Sequence, residues 1–320
     1  MSPGNLALTI FPLLISLPLL GQSPDANSGA KDGSPLKLSG YLQAREVYQS
    51  GVGLTGSINR ARLAASGTLV EVVTWRMQGE FRTGSVGAGR ASVSLQDAYV
   101  RFNQGKWAVQ AGQFKTPFSR EFITSLSDIE TADRSAAVDS LAPKRDIGLM
   151  GEYNFPWLAV SGGVFNGEGQ NVNANVDSAV FGVARLAVRP KAELSVGINA
   201  ARYFGDSTRY GVDVAYETKW GSLKGEYLSQ HRDATGGRDD WGWYGLGAFP
   251  VFEGVQLVGK YEEFARPAIN SAAKIRAWTA GFNIYPKTRN LRLAFDYASR
   301  SIGDPGVRKG RVLGQVQVKF

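Results

Sequence analysis

The chain has 320 residues, a formal charge of +8 at pH 7, no cysteine and one histidine, His231. The absence of cysteine excludes disulfides, thiolate metal ligands and cysteine nucleophiles, and one histidine cannot supply a histidine-rich metal site. We therefore expect no metal and no cofactor. The basic residues are not gathered into a lysine- or arginine-rich run, so we expect no nucleic-acid partner.

The N-terminal region has the character of an export signal. The apolar stretch from Leu6 to Leu20 is too short and too interrupted by proline for a membrane helix. It suits the hydrophobic part of a secretory signal peptide, although residues 1–10 contain no lysine or arginine. We predict a signal peptide over residues 1–22, a short polar segment over 23–34 and one folded domain over 35–320.

From residue 35 onward, apolar and polar residues alternate within each segment. In the segment 207–219, for example, Tyr210 and Val212 fall on one parity, whereas Arg209 and Asp213 fall on the other. Successive side chains of a strand point to opposite faces, so this alternation indicates two-faced strands. We predict about sixteen strands, at 35–48, 56–70, 72–83, 91–103, 105–115, 144–155, 157–167, 178–189, 191–203, 207–219, 221–231, 239–249, 253–264, 274–285, 289–300 and 310–320.

The connections between these segments alternate between short and long. Tight turns are expected at Gly105, Pro156, Pro190, Gly221 and Pro286, with a weakly marked turn near Glu71–Val72. Strands of about 10–12 residues match a tilted membrane crossing better than the about 5–6 residues usual in soluble sheets. The fold class is therefore all-β, a transmembrane antiparallel β-barrel. Longer connections fall at 84–90, 116–143, 166–177, 232–238, 265–273 and 301–309, and aromatic residues cluster near the short turns (Trp107, Phe155, Trp157, Trp220, Phe249, Phe252, Tyr285).

The last segment reads as a complete strand. Phe320, Val318 and Val316 share one parity, opposite Lys319 and Gln317. A barrel removes its edges by pairing its last strand with its first, so we expect this strand to close the barrel and Phe320 to anchor it at the membrane interface.

The polar parity carries many charges, which need water or partners because a charge facing lipid costs several kcal/mol. We therefore expect a water-filled interior, and the excess of basic residues would favour anions. Alternatively, each arginine pairs with an acid on a neighbouring strand and only stiffens the wall. The candidate pore-lining basic residues are Arg45, Arg60, Arg62, Arg76, Arg82, Arg101, Arg185, Arg189, Arg209, Lys224, Lys260, Arg292 and Arg300, with Arg311 and Lys319 on the same parity.

The longest connection, 116–143, follows the fifth strand. Connections of this length are usually functional, and this one is long enough to fold inward and narrow the pore. Its net charge is slightly acidic, and Pro117 and Pro143 would fix its entry and exit. The alternative is a solvated loop outside the barrel. The candidate constriction residues in and beside it are Lys115, Arg120, Glu121, Asp128, Arg134 and Arg145.

The run LQDAYVRFNQGKWAVQAGQFKTPFSREFITSLSDIETADRS, followed by APKRDIGLMGEY, resembles the phosphate-selective porins O and P. The resemblance implies a sixteen-stranded bacterial outer-membrane barrel, usually a homotrimer, that conducts small anions, phosphate among them. The chain end resembles the C-terminal signal of outer-membrane proteins, which implies that the barrel assembly machinery and outer-membrane lipid are partners. The dense lysine cluster of strongly phosphate-binding members is not found, so the phosphate site is not carried over.

We expect a channel for passive diffusion of small hydrophilic solutes, with a preference for anions and no enzymatic activity. The alternatives are a porin without phosphate specificity, a closed structural barrel and an exported soluble sugar-binding β-protein. A barrel enzyme would have to use Ser229, His231 and Asp233, whose spacing does not favour a converging site. The glycine-rich stretch 51–57 lacks the ending of a phosphate-binding loop and is expected to be a loop between strands.

Overall fold

The structure, a computed structural model, describes residues 36–82, 92–172, 174–175, 179–233, 239–267, 274–303 and 306–320. In this part of the chain, sixteen antiparallel strands form a closed barrel in which each strand pairs with its neighbours in sequence and β1 pairs with β16. The strands are β1 (Lys37–Gln49), β2 (Gly53–Val70), β3 (Val73–Arg82), β4 (Ser92–Gln104), β5 (Trp107–Lys115), β6 (Arg145–Asn154), β7 (Leu158–Phe165), β8 (Phe181–Lys191), β9 (Leu194–Tyr203), β10 (Ser207–Thr218), β11 (Gly221–Arg232), β12 (Asp239–Phe252), β13 (Val255–Ala265), β14 (Lys274–Ile284), β15 (Leu291–Gly303) and β16 (Gly306–Lys319).

The predicted fold class and all sixteen segments are confirmed, and the weakly marked turn falls between Val70 and Val73. Two expected connections are wrong. The segment 301–309 is largely strand, because β15 continues to Gly303 and β16 begins at Gly306. The glycine-rich stretch 51–57 is mostly the start of β2 rather than a loop. The predicted signal peptide and polar segment, and the connections 84–90 and 268–273, lie outside the described residues.

The two faces of each strand differ as the alternation predicts. On β10, Val212 and Val214 leave about half of their surface on the outside of the barrel, whereas Asp213 is almost completely buried on the inside. An exposed belt of apolar side chains around a buried polar interior is the reverse of a soluble protein's arrangement, and it is the arrangement expected of a barrel surrounded by lipid.

The barrel is closed by the last strand. The backbone N–H of Gly40 donates to the carbonyl of Phe320 at 2.9 Å, and the N–H of Phe320 donates to the carbonyl of Gly40 at 3.0 Å. From this point β1 and β16 pair without interruption, from Tyr41 opposite Lys319 to Gln49 opposite Arg311. The sheet therefore has no free edge at this seam.

Aromatic side chains form a belt at the short-turn end. Neighbouring rings are in contact along the series Trp107, Tyr153, Phe155 and Trp157, with ring centroids 4.3 to 6.2 Å apart. The ammonium group of Lys106 lies 3.7 Å from the centroid of Phe155. Amphipathic rings and long basic side chains favour the membrane–water interface, so this belt marks one edge of the lipid-facing zone.

The described residues form two helices, α1 (Arg120–Ile123) and α2 (Ala136–Leu141), and both lie in the connection between β5 and β6. Each begins at a serine whose hydroxyl accepts from a backbone N–H of the first turn, Ser119 from Phe122 and Ser135 from Val138. Among the described residues, no helix is long and apolar enough to cross a membrane.

Candidate functional site: the lumen of the barrel

The connection 116–143, here called the luminal loop, folds into the barrel as predicted. The Thr116 hydroxyl donates to the Pro143 carbonyl at 3.0 Å, which brings the two ends of the loop together. Inside, Phe118 and Val138 are completely buried in a cluster that includes wall residues such as Phe181 and Leu228. The apolar core of this protein therefore lies inside the barrel, between the loop and the wall.

The second helix fixes the part of the loop nearest the long-connection end. It packs against β11, β12 and β13, and a Cβ added at Gly242 would lie 2.6 Å from the Cβ of Ala137, so this close approach requires glycine. The N–H of Ala136 donates to Glu262 at 2.9 Å, and Arg209 donates to the carbonyl of Leu141 at 2.9 Å. Wall residues therefore satisfy backbone groups at both ends of this helix.

A charge cluster holds the first helix at mid-height. Asp213 on β10 pairs with Arg120 of the loop at 2.8 Å and with Arg185 of β8 at 2.5 Å. The N–H of Ser119 donates to the side-chain oxygen of Asn199 at 3.3 Å. One carboxylate thus ties a loop arginine and a wall arginine together.

The lower limb of the loop, residues 126–131, reaches the short-turn end of the barrel. There, wall side chains donate to its backbone carbonyls: Gln317 to Ser127 at 3.0 Å, and Arg292 to Ile129 at 2.7 Å. Asn283 donates to the carbonyl of Glu130 at 2.8 Å. These donors meet the hydrogen-bonding need of buried carbonyls that would otherwise be desolvated without a partner.

Ion pairs reinforce the same limb. Lys319 pairs with Asp128 at 2.5 Å, and Lys224 pairs with Glu130 at 2.6 Å. Lys319 is the last strand residue of β16, so Asp128 lies close to the short-turn rim. The luminal loop therefore spans most of the height of the pore.

Asp133 lies between two arginines where the loop turns back toward its exit. One carboxylate oxygen is 2.9 Å from Arg45 and the other is 2.6 Å from Arg311. Burial alone would raise the pKa of Asp133, but the two guanidinium groups lower that pKa to about 2. Asp133 is therefore an anion at all physiological pH values, and it is ion-paired with two luminal arginines.

A cavity of about 490 Å³, the main cavity, adjoins this group. Its wall combines loop residues with side chains of β13, β14, β15 and β16. In the part of the chain that the structure describes, no carboxylate lies within ion-pair distance of Arg300 or Lys309, both of which are exposed to this space. The charged residues of its lining are Arg134, Lys260, Arg300, Lys309 and Arg311 against Asp133, Asp139, Glu262 and Asp296.

A smaller cavity, of about 50 Å³, lies on the other side of the loop, against β3 to β8. Here the wall charges are paired: Arg101 with Glu152 at 2.5 Å, and Arg145 with Asp97 at 2.7 Å. Arg76 approaches the second oxygen of Asp97 at 3.8 Å. The lining of this cavity carries four basic side chains (Arg76, Arg101, Lys115 and Arg185) against two acids (Asp97 and Glu152), so the excess of basic side chains is not confined to the main cavity.

The structure places the predicted basic residues in three settings. Five contact the luminal loop: Arg45, Arg209, Lys224, Lys260 and Arg292. Six pair with acids of the wall: Arg60, Arg62 and Arg82 with Glu80, Arg76 with Asp97, Arg101 with Glu152, and Arg185 with Asp213. Arg300 faces the main cavity, and Arg189 shares the parity of Arg185 on β8. Most of these arginines therefore pair with an acid of the wall or bind the luminal loop, and they do not form a ladder of free charges along the pore.

The remaining loop candidates also make contacts inside the barrel. Lys115 donates to the carbonyls of Ile123 and Thr124 at 3.0 and 3.2 Å. Arg134 donates to the carbonyl of Phe122 at 2.9 Å, and the carboxylate of Glu121 accepts from the N–H of Ser135 at 2.9 Å. Burial raises the pKa of Glu121 above its usual range and lowers the pKa of Arg134 to about 10.

Neutral amides are the part of the site that sequence reasoning missed. Gln43, Asn283 and Gln317 are almost completely buried and bind the lower limb of the loop. These amides lie on the polar parity of their strands, and this position was the feature of the sequence that could have indicated a place in the site. Without the path of the loop, an amide on that face is equally consistent with a residue that binds the loop and with a residue exposed to water.

The residues considered for a barrel enzyme do not come together. His231 pairs with Asp239 at 2.7 Å, whereas Asp233 pairs with Arg202 at 2.8 Å. Within the described ranges, no group of three His, Cys, Asp or Glu side chains is placed to hold a metal ion.

Comparison with solved structures identifies porins and an outer-membrane protein as similar folds. An anion-selective porin from Comamonas acidovorans has a TM-score of 0.65 at 15% identity, covering 89% of this chain and 99% of that one. OmpT, an outer-membrane protein of Vibrio cholerae in its trimer form, gives 0.64 at 12% identity with the same coverage. A triple mutant of the Rhodopseudomonas blastica porin gives 0.60 at 14% identity, covering 89% of this chain and all of that one.

A search of curated protein sequences finds no match. The sequence pattern of one family, described as phosphate-selective porin O and P, matches residues 42–203, half of the chain. This region runs from β1 through the luminal loop to β9, and it includes the loop's entry, its exit and most of the paired arginines. The chain therefore belongs to the phosphate-selective porin O and P family, and it is a porin channel of the bacterial outer membrane.

Proposed function

We propose that this porin is a passive diffusion channel that prefers small anions. The observation that carries the proposal is the main cavity, where Arg300 and Lys309 stand exposed without a carboxylate partner among the described residues. Two acids of the same lining are held by loop N–H groups, Glu262 by Ala136 and Asp296 by Ala132. The lining of this cavity holds five basic side chains against four acids, so its net charge is positive, and a positive wall raises the local concentration of anions.

The similarity to an anion-selective porin supports the sign of this preference, and the family description supports phosphate as one of the solutes. The charge pattern itself favours anions in general. It offers no dense lysine cluster that would hold phosphate more tightly than chloride. Phosphate is therefore proposed as one small anion among several.

The proposal extends to assembly and export. The chain would reach the outer membrane through a signal peptide over residues 1–22, be inserted by the barrel assembly machinery through its C-terminal strand, and work as a homotrimer. The pattern of Phe320, Val318 and Val316 supports the second step, and the trimer form of the similar OmpT supports the third.

The zero-current potential of the purified protein in a planar bilayer under a KCl gradient tests the proposal. We expect a potential of the sign that indicates chloride preference, reduced when Arg300→Ala and Lys309→Ala are combined. The matched control is the pair Arg202→Ala and Lys219→Ala, which removes the same charge from exposed residues outside the lining of the main cavity. A cation-preferring potential would overturn the anion preference, and the absence of current would favour the closed barrel.

A further inference from the structure

The carboxylate of Asp133 has the contacts that a bound oxyanion would have. Its two oxygens accept from different guanidinium groups, Arg45 at 2.9 Å and Arg311 at 2.6 Å. Neither arginine has another carboxylate within ion-pair distance among the described residues. The pair of arginines therefore forms one anion position, and a residue of the chain occupies it.

This position is open to solute. Asp133 and Arg311 both line the main cavity, and their side chains are 32% and 39% exposed. Arg45, behind them, is 8% exposed. An anion that enters the cavity can therefore contact the exposed side of Arg311, whose charge is already balanced by Asp133 of the loop.

The backbone at Asp133 is held by contacts that do not involve its carboxylate. The carbonyl of Asp133 accepts from Lys260 at 2.9 Å and from the Thr131 hydroxyl at 2.8 Å. The adjacent N–H of Ala132 donates to Asp296 at 2.8 Å. These contacts hold the backbone, so rotation of one side chain is enough to exchange the carboxylate for a solute anion.

We propose that Asp133 is a built-in competitor for permeating anions: its carboxylate occupies the Arg45–Arg311 position and is displaced in turn by each solute anion. The inference rests on the proposed function, because it concerns the same cavity and the same class of solute. It assigns Asp133 a role in specificity, since a tethered carboxylate keeps weakly held anions from accumulating on the two arginines and raises the anion concentration at which the channel saturates.

The test compares Asp133→Asn with Asp139→Asn in planar bilayers. Asp139 lines the same cavity and loses the same charge, but its carboxylate makes no ion pair among the described residues. We expect both variants to raise the ratio of chloride to potassium permeability. Asp133→Asn alone should lower the KCl concentration at half-maximal conductance, by about threefold or more, because it alone replaces the carboxylate on the anion position with a neutral amide that a solute anion displaces more easily. This lowering should disappear when Arg311→Gln is added.

Equal effects of the two variants on half-saturation would overturn the inference, since Asp133 would then act only through its charge. If neither the native protein nor Asp139→Asn prefers anions, the proposed function is wrong. The inference about Asp133 is then decided on its own, by whether Asp133→Asn lowers the KCl concentration at half-maximal conductance. Assembly is checked by resistance of the folded barrel to SDS. Asp133→Ser replaces the asparagine variant if the latter does not assemble.

Discussion

Arg292 on β15 donates a hydrogen bond of 2.7 Å to the carbonyl oxygen of Ile129, a residue 163 positions away in the sequence. Arg292 is 2% exposed, and its guanidinium group also donates to the side chain of Gln317 at 3.1 Å. A pore-wall arginine is thus used to hold a backbone segment across the lumen rather than to face solute.

The first prediction concerns this contact. Arg292→Met should loosen the lower limb of the luminal loop, since a charge-assisted hydrogen bond contributes about 1.5–3 kcal/mol. We expect larger and noisier single-channel currents. Arg300→Met removes the same charge from a side chain that makes no hydrogen bond or ion pair with the loop among the described residues, and it should change selectivity without adding noise. Quiet native-like currents from Arg292→Met would contradict a holding role.

The second prediction concerns pH. Because the pKa of Asp133 is lowered to about 2, its pairing with Arg45 and Arg311 contributes stability above the ordinary pKa of an aspartate, and this contribution is lost only as the pH falls toward 2. Burial raises the pKa of Glu121, so acidification favours its neutral, folded form. The lowered pKa of Asp133 and the raised pKa of Glu121 both predict that the loop stays in place between pH 8 and pH 4. Single-channel conductance measured across this range should show no stepwise opening, whereas a step near pH 5 would contradict the assignment.

The third prediction concerns the cluster at mid-height. Asp213→Asn leaves Arg185 and Arg120 buried without their carboxylate, which should cost about 3–5 kcal/mol. The matched change Asp233→Asn breaks an exposed pair with Arg202 and should cost about 0–1 kcal/mol. The temperature at which the SDS-resistant barrel unfolds compares the two variants. A similar loss in both would show that the luminal cluster is as solvated as the surface pair.

The fourth prediction concerns barrel closure. A Cβ at Gly40 would lie 2.4 Å from the carbonyl oxygen of Arg62 and 2.7 Å from the ring of Phe320. Gly40→Ala should therefore disturb the seam, and overpacking of this kind costs about 1–3 kcal/mol. In Gly259→Ala, a strand position on β13, the added Cβ meets no atom within 4 Å. We expect a smaller fraction of folded barrel for Gly40→Ala than for Gly259→Ala in refolding from urea. Equal fractions would show that the seam relaxes freely.

Strand alternation was enough to predict the barrel, because the period of two is a local property that each segment repeats. Tyr210, Val212 and Asp213 take the faces that their parity indicates. The segment 301–309 was misread because its glycines and proline resemble a long connection, whereas β15 continues to Gly303 and β16 begins at Gly306. Local composition does not show how far two paired strands continue.

The contacts of the luminal arginines were not predictable from their own strands. Arg45 and Arg311 lie on β1 and β16, and what distinguishes them from Arg300 is the position of Asp133 on a loop far away in sequence. The number of charges on the polar parity indicates a wet interior. The path of the loop decides which of those charges remain free for solute.

The central claim is that the luminal loop crosses the pore to the short-turn end. The chain has no cysteine, so a short bis-maleimide, which alkylates two introduced thiols, can test this directly in the folded barrel. Asp128→Cys combined with Lys319→Cys places two thiols where an ion pair of 2.5 Å now lies, at side chains about one-third exposed. The control pair, Asp139→Cys with Lys319→Cys, uses a loop residue that lines the main cavity together with Lys309, and Lys309 lies ten residues from Lys319 on β16, about 33 Å along the strand. The account predicts efficient cross-linking of the first pair and none of the second. Absence of a cross-link between positions 128 and 319 in the folded protein would contradict it.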